Sequence, residues 1–118
     1  MRTSALWGLA AALVLGGAAC SSGGGGDASC ESPTATTDVT MTDFAYTPAC
    51  VEASEGDTLT VVNSGETPHT FTVTGVDLDV DVAAGATGEL ALDGVASGTT
   101  YEVICIYHPQ MVAALKVV

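Results

Sequence analysis

Between Val76 and Val82 the chain alternates without exception: Val76, Leu78, Val80 and Val82 are apolar, while Asp77, Asp79 and Asp81 are acidic. Successive side chains of an extended strand point to opposite faces, so this run writes one buried face and one wetted face. A helix would scatter the same residues around its axis. Shorter runs rich in Val, Thr, Leu and Ile recur on both sides, punctuated by Gly, Pro, Asn and Asp. They predict strands at 38–44, 50–53, 58–63, 70–74, 76–82, 87–92, 99–105 and 112–118. No stretch carries a helical period long enough to compete. With 118 residues, 47% of them apolar, this is one all-β domain, a sandwich of seven to eight strands. The Asp-x-Asp-x-Asp pattern lacks the Gly and the distal Glu of a calcium loop, so it reads as a solvated strand face.

The N-terminal third has a different character. Arg2, an apolar run from Leu6 to Leu15 and the small residues Gly17, Ala18 and Ala19 read as a signal peptide over 1–19. The apolar stretch is shorter than the roughly 20 residues a membrane-spanning helix needs. Small residues followed at once by Cys20 resemble the lipobox of bacterial lipoproteins, in which the cysteine is lipidated and becomes the new N-terminus. Gly17 stands where the lipobox usually has Leu, so ordinary cleavage stays open. Residues 20–36, with Ser21, Ser22 and Gly23, Gly24, Gly25 and Gly26, form a flexible tether, and 37–118 the folded domain. The expected destination is outside the cytoplasm: anchored by lipid on Cys20 to the extracytoplasmic face of a bacterial membrane, or periplasmic or secreted without it.

Removal of the leader takes Arg2 with it and leaves 14 carboxylates facing Lys116 alone, a net charge of −13. Such a surface repels nucleic acid and anionic membranes, which are neutralised by cations this chain lacks. A protein partner drawn in by electrostatic steering is basic. The domain is expected to be a monomer that meets a membrane only through its anchor.

Four cysteines divide by context. Cys20 is the lipidation candidate, and Cys105 lies among potential metal ligands in Cys105-Ile106-Tyr107-His108-Pro109-Gln110-Met111. Cys30 and Cys50 are the natural disulfide pair in an oxidising compartment, closing a loop worth about 3 kcal/mol in the chain-entropy model. With no Cys-x-x-Cys in the chain, that bridge is structural.

Cys105, His108 and Met111 follow at intervals of three, a spacing that also fits one face of a helix. Pro109 opposes helical geometry at His108, and the β-rich run before Cys105 favours a tight strand-to-strand loop. His69 follows the turn-like stretch Asn63-Ser64-Gly65-Glu66-Thr67-Pro68 at a strand start. Singly these residues are ordinary. Together, a thiolate, two imidazoles and a thioether make the donor set of a type 1 copper site.

At these positions the sequence resembles the cupredoxins, the small blue copper proteins of the amicyanin and plastocyanin kind. The matching stretches are Phe44-Ala45-Tyr46-Thr47-Pro48, Gly56-Asp57-Thr58-Leu59, Pro68-His69-Thr70-Phe71 and the run from Tyr101 to Met111. The likeness covers 37–118. It implies a Greek-key β-sandwich with one copper per chain, His69, Cys105 and His108 as equatorial ligands and Met111 as the axial one. It also implies a Cu(II)/Cu(I) electron-transfer protein with a redox partner, and an edge of His108 that reaches the surface in an apolar patch near Val112 and Ala113. Thr70 stands where amicyanin and plastocyanin have Asn, which leaves its backbone N–H to support the Cys105 sulfur.

The same residues limit the alternatives. His69 and His108 are the chain's only histidines, too few for the extra copper atoms of multicopper oxidases and copper nitrite reductases, so no enzyme is expected. A binuclear copper centre needs two cysteines in one loop. A thioether is a poor zinc ligand, which disfavours a zinc-stabilised sandwich. A non-redox copper carrier or donor is the alternative function.

Overall fold

The computed structural model describes residues 30–118; the signal peptide read at 1–19 and the lipidation read at Cys20 lie outside them. Among the described residues there are ten strands and no helix. The strands are β1 (Thr34–Ala35), β2 (Asp38–Thr42), β3 (Ala45–Thr47), β4 (Cys50–Ala53), β5 (Thr58–Asn63), β6 (His69–Val73), β7 (Leu78–Val82), β8 (Thr87–Ala91), β9 (Thr99–Cys105) and β10 (His108–Val117). They form two mixed sheets, ordered β1-β4-β10-β9-β6-β7 and β3-β2-β5-β8, packed as a sandwich.

The alternation that predicted β7 is visible as burial. Leu78 and Val80 are half-buried and Val82 is buried, whereas Asp79 and Asp81 are exposed. The strand starts two residues later than the pattern suggests, because residues 74–77 turn around Gly75 at φ 88°. Val76 still packs against the core.

Two further differences from the expected strands matter for function. The segment 38–44 breaks into the hairpin β2–β3, in which Thr42 pairs with Ala45 and leaves Asp43 and Phe44 as a two-residue turn. Phe44 adopts φ 107°, and its N–H donates to the Thr42 carbonyl at 2.8 Å. That φ, at the second position of the turn, is rarely taken by an aromatic residue. The second difference is β1, which pairs in parallel with β4 (Thr34 with Val51, Ala35 with Glu52) inside the stretch read as tether. Just upstream, Cys30 is disulfide-bonded to Cys50 with Cα atoms 5.5 Å apart.

The core lies between the sheets. Val39, Met41, Tyr46, Leu59 and Val61 come from one side, and Val51, Phe71, Val73, Val103 and Leu115 from the other. Phe71 meets Tyr46 edge-to-face with centroids 5.7 Å apart. The Tyr46 hydroxyl donates to the Thr70 carbonyl at 2.6 Å, so no polar atom of that ring is stranded. Burying Phe71 completely contributes about 3 kcal/mol. That packing fixes the inner face of β6 and, with it, the place of the strand's first residue, His69.

Candidate metal centre

His69 opens β6, Cys105 ends β9, and His108 opens β10. Ile106 and Tyr107 alone connect the last two strands, with His108 paired opposite Cys105. The expected tight loop is therefore a hairpin turn, and no helix forms there. The register then shifts between His108 and Val112. Pro109 and Gln110 are exposed within the irregularity, and Met111 turns inward to 1% exposure. Pro109 has no N–H to give to a ladder, which suits it to a break in pairing.

One donor atom each from His69, Cys105 and His108 lies within 4.8 Å of the others. The Cys105 sulfur is 3.9 Å from His69 Nδ1. Bonds of about 2.0 Å to imidazole and 2.3 Å to thiolate, the lengths zinc makes, hold two donors about 3.7 Å apart at 120°. The pair is thus already spaced to share one ion. His69 is 0% and Cys105 2% exposed, and His108 is half-buried with its Nε2 buried and lacking any hydrogen-bond partner. A buried nitrogen without a partner, on a residue that shares a cluster with a thiol and a second imidazole, fits a site built to hold a metal.

The thiol is held ready to ionise. Burial pushes its pKa up. The Thr70 N–H at 3.4 Å from the sulfur, the His69 side chain and the N–H groups of Tyr107 and His108 pull it down, and the net shift is downward. The backbone donor at Thr70 is therefore in place, while its side chain points elsewhere.

Asp43 completes the His69 side. Its Oδ1 lies 2.9 Å from His69 Nε2, and a carboxylate can only accept. Nε2 therefore carries the proton and donates, which leaves the Nδ1 lone pair facing Cys105. The same carboxylate accepts from the Glu66 N–H at 3.0 Å, the Thr67 N–H at 3.4 Å and the Thr67 hydroxyl at 3.2 Å. Those donors, the Glu66 N–H foremost and His69 next, hold the Asp43 pKa down at about 2. Gly65 is required at its position: a Cβ there would overlap the Asp43 carboxylate and crowd its backbone nitrogen. The loop itself is pinned by buried Asn63, whose amide donates to the carbonyls of Thr67 and Val82 at 2.9 Å and accepts from the Gly65 N–H at 2.9 Å.

On the other side, Phe44 packs edge-on against His108 at 4.8 Å and against His69 at 6.1 Å between centroids. Phe44, Ile106 and Tyr107 are exposed at this end (54%, 56% and 46%). The expected apolar patch is thus carried by these residues and by Val112; Ala113 is buried at 5%.

The family model of the cupredoxin-like domain matches residues 8–117. The chain belongs to that family. No curated protein sequence matches it. Solved cupredoxin structures superpose well at low identity. A purple cupredoxin from Nitrosopumilus maritimus has a TM-score of 0.60 at 20% identity, over 69% of this chain and 98% of that one. An oxidised point mutant of amicyanin has a TM-score of 0.57 at 24% identity, over 69% and 80%. A copper-containing nitrite reductase from Thermus scotoductus SA-01 has a TM-score of 0.59 at 21% identity, but this cupredoxin spans only 22% of that chain.

The fold brings three of the four sequence-predicted donors, His69, Cys105 and His108, into one cluster, and buries the fourth, Met111, on β10. Asp43 was not singled out in this cupredoxin's sequence. It is one of 14 acids, 26 residues from His69, with no spacing rule to connect them. Only the β2–β3 turn, itself unforeseen, carries it to the site.

Proposed function

We propose that this cupredoxin is an electron carrier with a mononuclear type 1 copper site, which His69, Cys105 and His108 would hold with Met111 as a fourth, weaker donor. The observation that carries this reading is the cluster of a thiol with a lowered pKa and two imidazoles, two of the three buried and one half-buried, with donor atoms spaced for one ion. Copper bound by these residues would supply a one-electron Cu(II)/Cu(I) couple for exchange between a donor protein and an acceptor.

The chain's own residues supply what that exchange needs. Asp43 holds the tautomer and angle of His69, the Thr70 N–H stabilises the sulfur, and burial keeps water from the donors. A site that barely moves on gaining charge transfers electrons fast. The exposed rings at Phe44 and Tyr107 and the side chain of Ile106 offer a small apolar surface for brief docking. The surrounding carboxylates attract a basic redox partner over a longer range. With every histidine committed to one ion, a catalytic second copper has no imidazoles left. The protein works outside the cytoplasm, on a lipid at Cys20 or free after ordinary cleavage.

Cyclic voltammetry of the copper-loaded protein tests this role. An electron carrier gives a reversible wave and keeps its copper through many cycles, even beside a Cu(I) chelator. A copper carrier surrenders the metal to the chelator once reduced. Met111→Leu should keep the copper and raise the potential; loss of copper binding on that change would contradict an axial role.

A further inference from the structure

The acidic face of β7 does more than meet water. Thr72 is the direct cross-strand partner of Asp79, and Thr70 of Asp81. The Thr72 hydroxyl lies 2.6 Å from the Asp79 carboxylate, the Thr70 hydroxyl 2.9 Å from that of Thr72, and the Ile106 N–H 3.0 Å from the Thr70 oxygen. The carboxylate can only accept, so Thr72 donates to it and must accept from Thr70. Thr70 in turn accepts from Ile106. The chain of bonds therefore has one direction, from the turn between Cys105 and His108 out to the charge on Asp79. A second link runs beside it, the Tyr107 hydroxyl donating to Asp81.

The two links reach consecutive residues of the turn from two different positions along β7. One attachment would leave the turn free to pivot; two fix both its height and its rotation. Thr70 is 0% exposed although its side chain lies on the face of β6 away from the core. The buried hydroxyl donates to Thr72 and accepts from Ile106, so neither its proton nor its oxygen is left without a partner. Bonds in series to a charged acceptor also strengthen one another. Asp77 lies in the turn that precedes β7 and takes no part in either link.

We propose that Asp79, through Thr72 and Thr70, and Asp81, through Tyr107, are positioning residues that brace the turn carrying Cys105 and His108 in its ligating geometry. The role of the turn rests on the reading of the site as a metal centre, but none of the bonds in the brace uses a metal donor, so it is tested first in the metal-free protein.

Amide hydrogen exchange of the metal-free protein reads Ile106 directly. Thr72→Val and Tyr107→Phe, combined, should speed Ile106 exchange roughly tenfold, about what one lost intramolecular hydrogen bond supports. Exchange of the core amides of β5 and β9 should stay unchanged, since Tyr107 and Thr72 are both outside the core. Thr72→Ser keeps the hydroxyl and should behave as wild type, and Asp77→Asn removes a neighbouring charge and should also leave Ile106 unaffected. With copper bound, the Val/Phe variant should retain its colour while electron self-exchange slows several-fold. Unchanged Ile106 exchange and unchanged self-exchange in the Val/Phe variant would overturn the brace, as would an equal effect of Asp77→Asn, which would make the effect one of charge alone. If Ile106 responds as described but no copper variant is coloured, the brace stands and the copper reading falls.

Discussion

The two histidines of the site are held by different physics. His69 is 0% exposed and locked by a hydrogen bond to a carboxylate that three other donor groups fix in place. His108 is half-buried, has no hydrogen bond at Nε2, and is held by the edge of Phe44, itself 54% exposed and at φ 107°. One side of the centre is built for rigidity and the other for access. Directional bonds suit the side that must not move, because their energy falls steeply with angle. Ring packing suits the side that meets a partner, because an apolar cover excludes water without demanding one fixed geometry.

The largest test of this contrast is to delete each ring. His69→Gly should lose the thiolate-to-copper colour and not regain it with added imidazole, since the vacated space is closed to solvent. His108→Gly should lose the colour and regain it with imidazole in millimolar amounts. Equal rescue at both positions would remove the difference in access.

Cutting the hydrogen bond instead of the ring gives a smaller effect. Asp43→Ala should weaken copper binding about 10- to 100-fold, the range found when the partner of a metal-bound histidine is lost. Metal affinity by competition titration checks it. The folded-state pKa of Asp43 lies below the ordinary value of 3.8, at about 2. Its stabilisation is therefore complete above about pH 4 and is lost as the pH falls through 2. Acid unfolding of the metal-free protein should show a step in that window that is absent from Asp43→Asn. The step's persistence in Asp43→Asn would assign it to another carboxylate.

The smallest effect is expected at Phe44. Phe44→Gly removes an aromatic residue from positive φ and should stabilise the β2–β3 turn by about 1 kcal/mol in thermal unfolding. It also uncovers His108, so reduction by small soluble reagents should quicken by a few-fold. Destabilisation by the same change would mean that the ring's contact outweighs its backbone strain.

What was legible in the sequence follows the same division. Strand alternation at Val76 to Val82 and the Cys105-to-Met111 run are local patterns, and the fold kept them as β7 and as the β9–β10 hairpin. The compensating features were not local. Asp43 reaches His69 only because a two-residue turn interrupts what reads as one strand, and nothing in a Thr-Asp-Phe-Ala string announces a positive φ at an aromatic. Thr70 and Thr72 read as ordinary strand residues, and their role appears only when register places Asp79 and Asp81 opposite them. The donors of the site were thus readable by residue type, while the groups that orient the donors depend on pairings between strands far apart in sequence.

The central claim is that Cys105 binds copper as a thiolate beside two histidines. The visible spectrum of the purified domain on addition of Cu(II) tests it most directly. The account predicts an intense blue or purple thiolate-to-copper band that saturates at one copper per chain and disappears in Cys105→Ser. No such band in the wild-type protein, or a band that survives in Cys105→Ser, would contradict it.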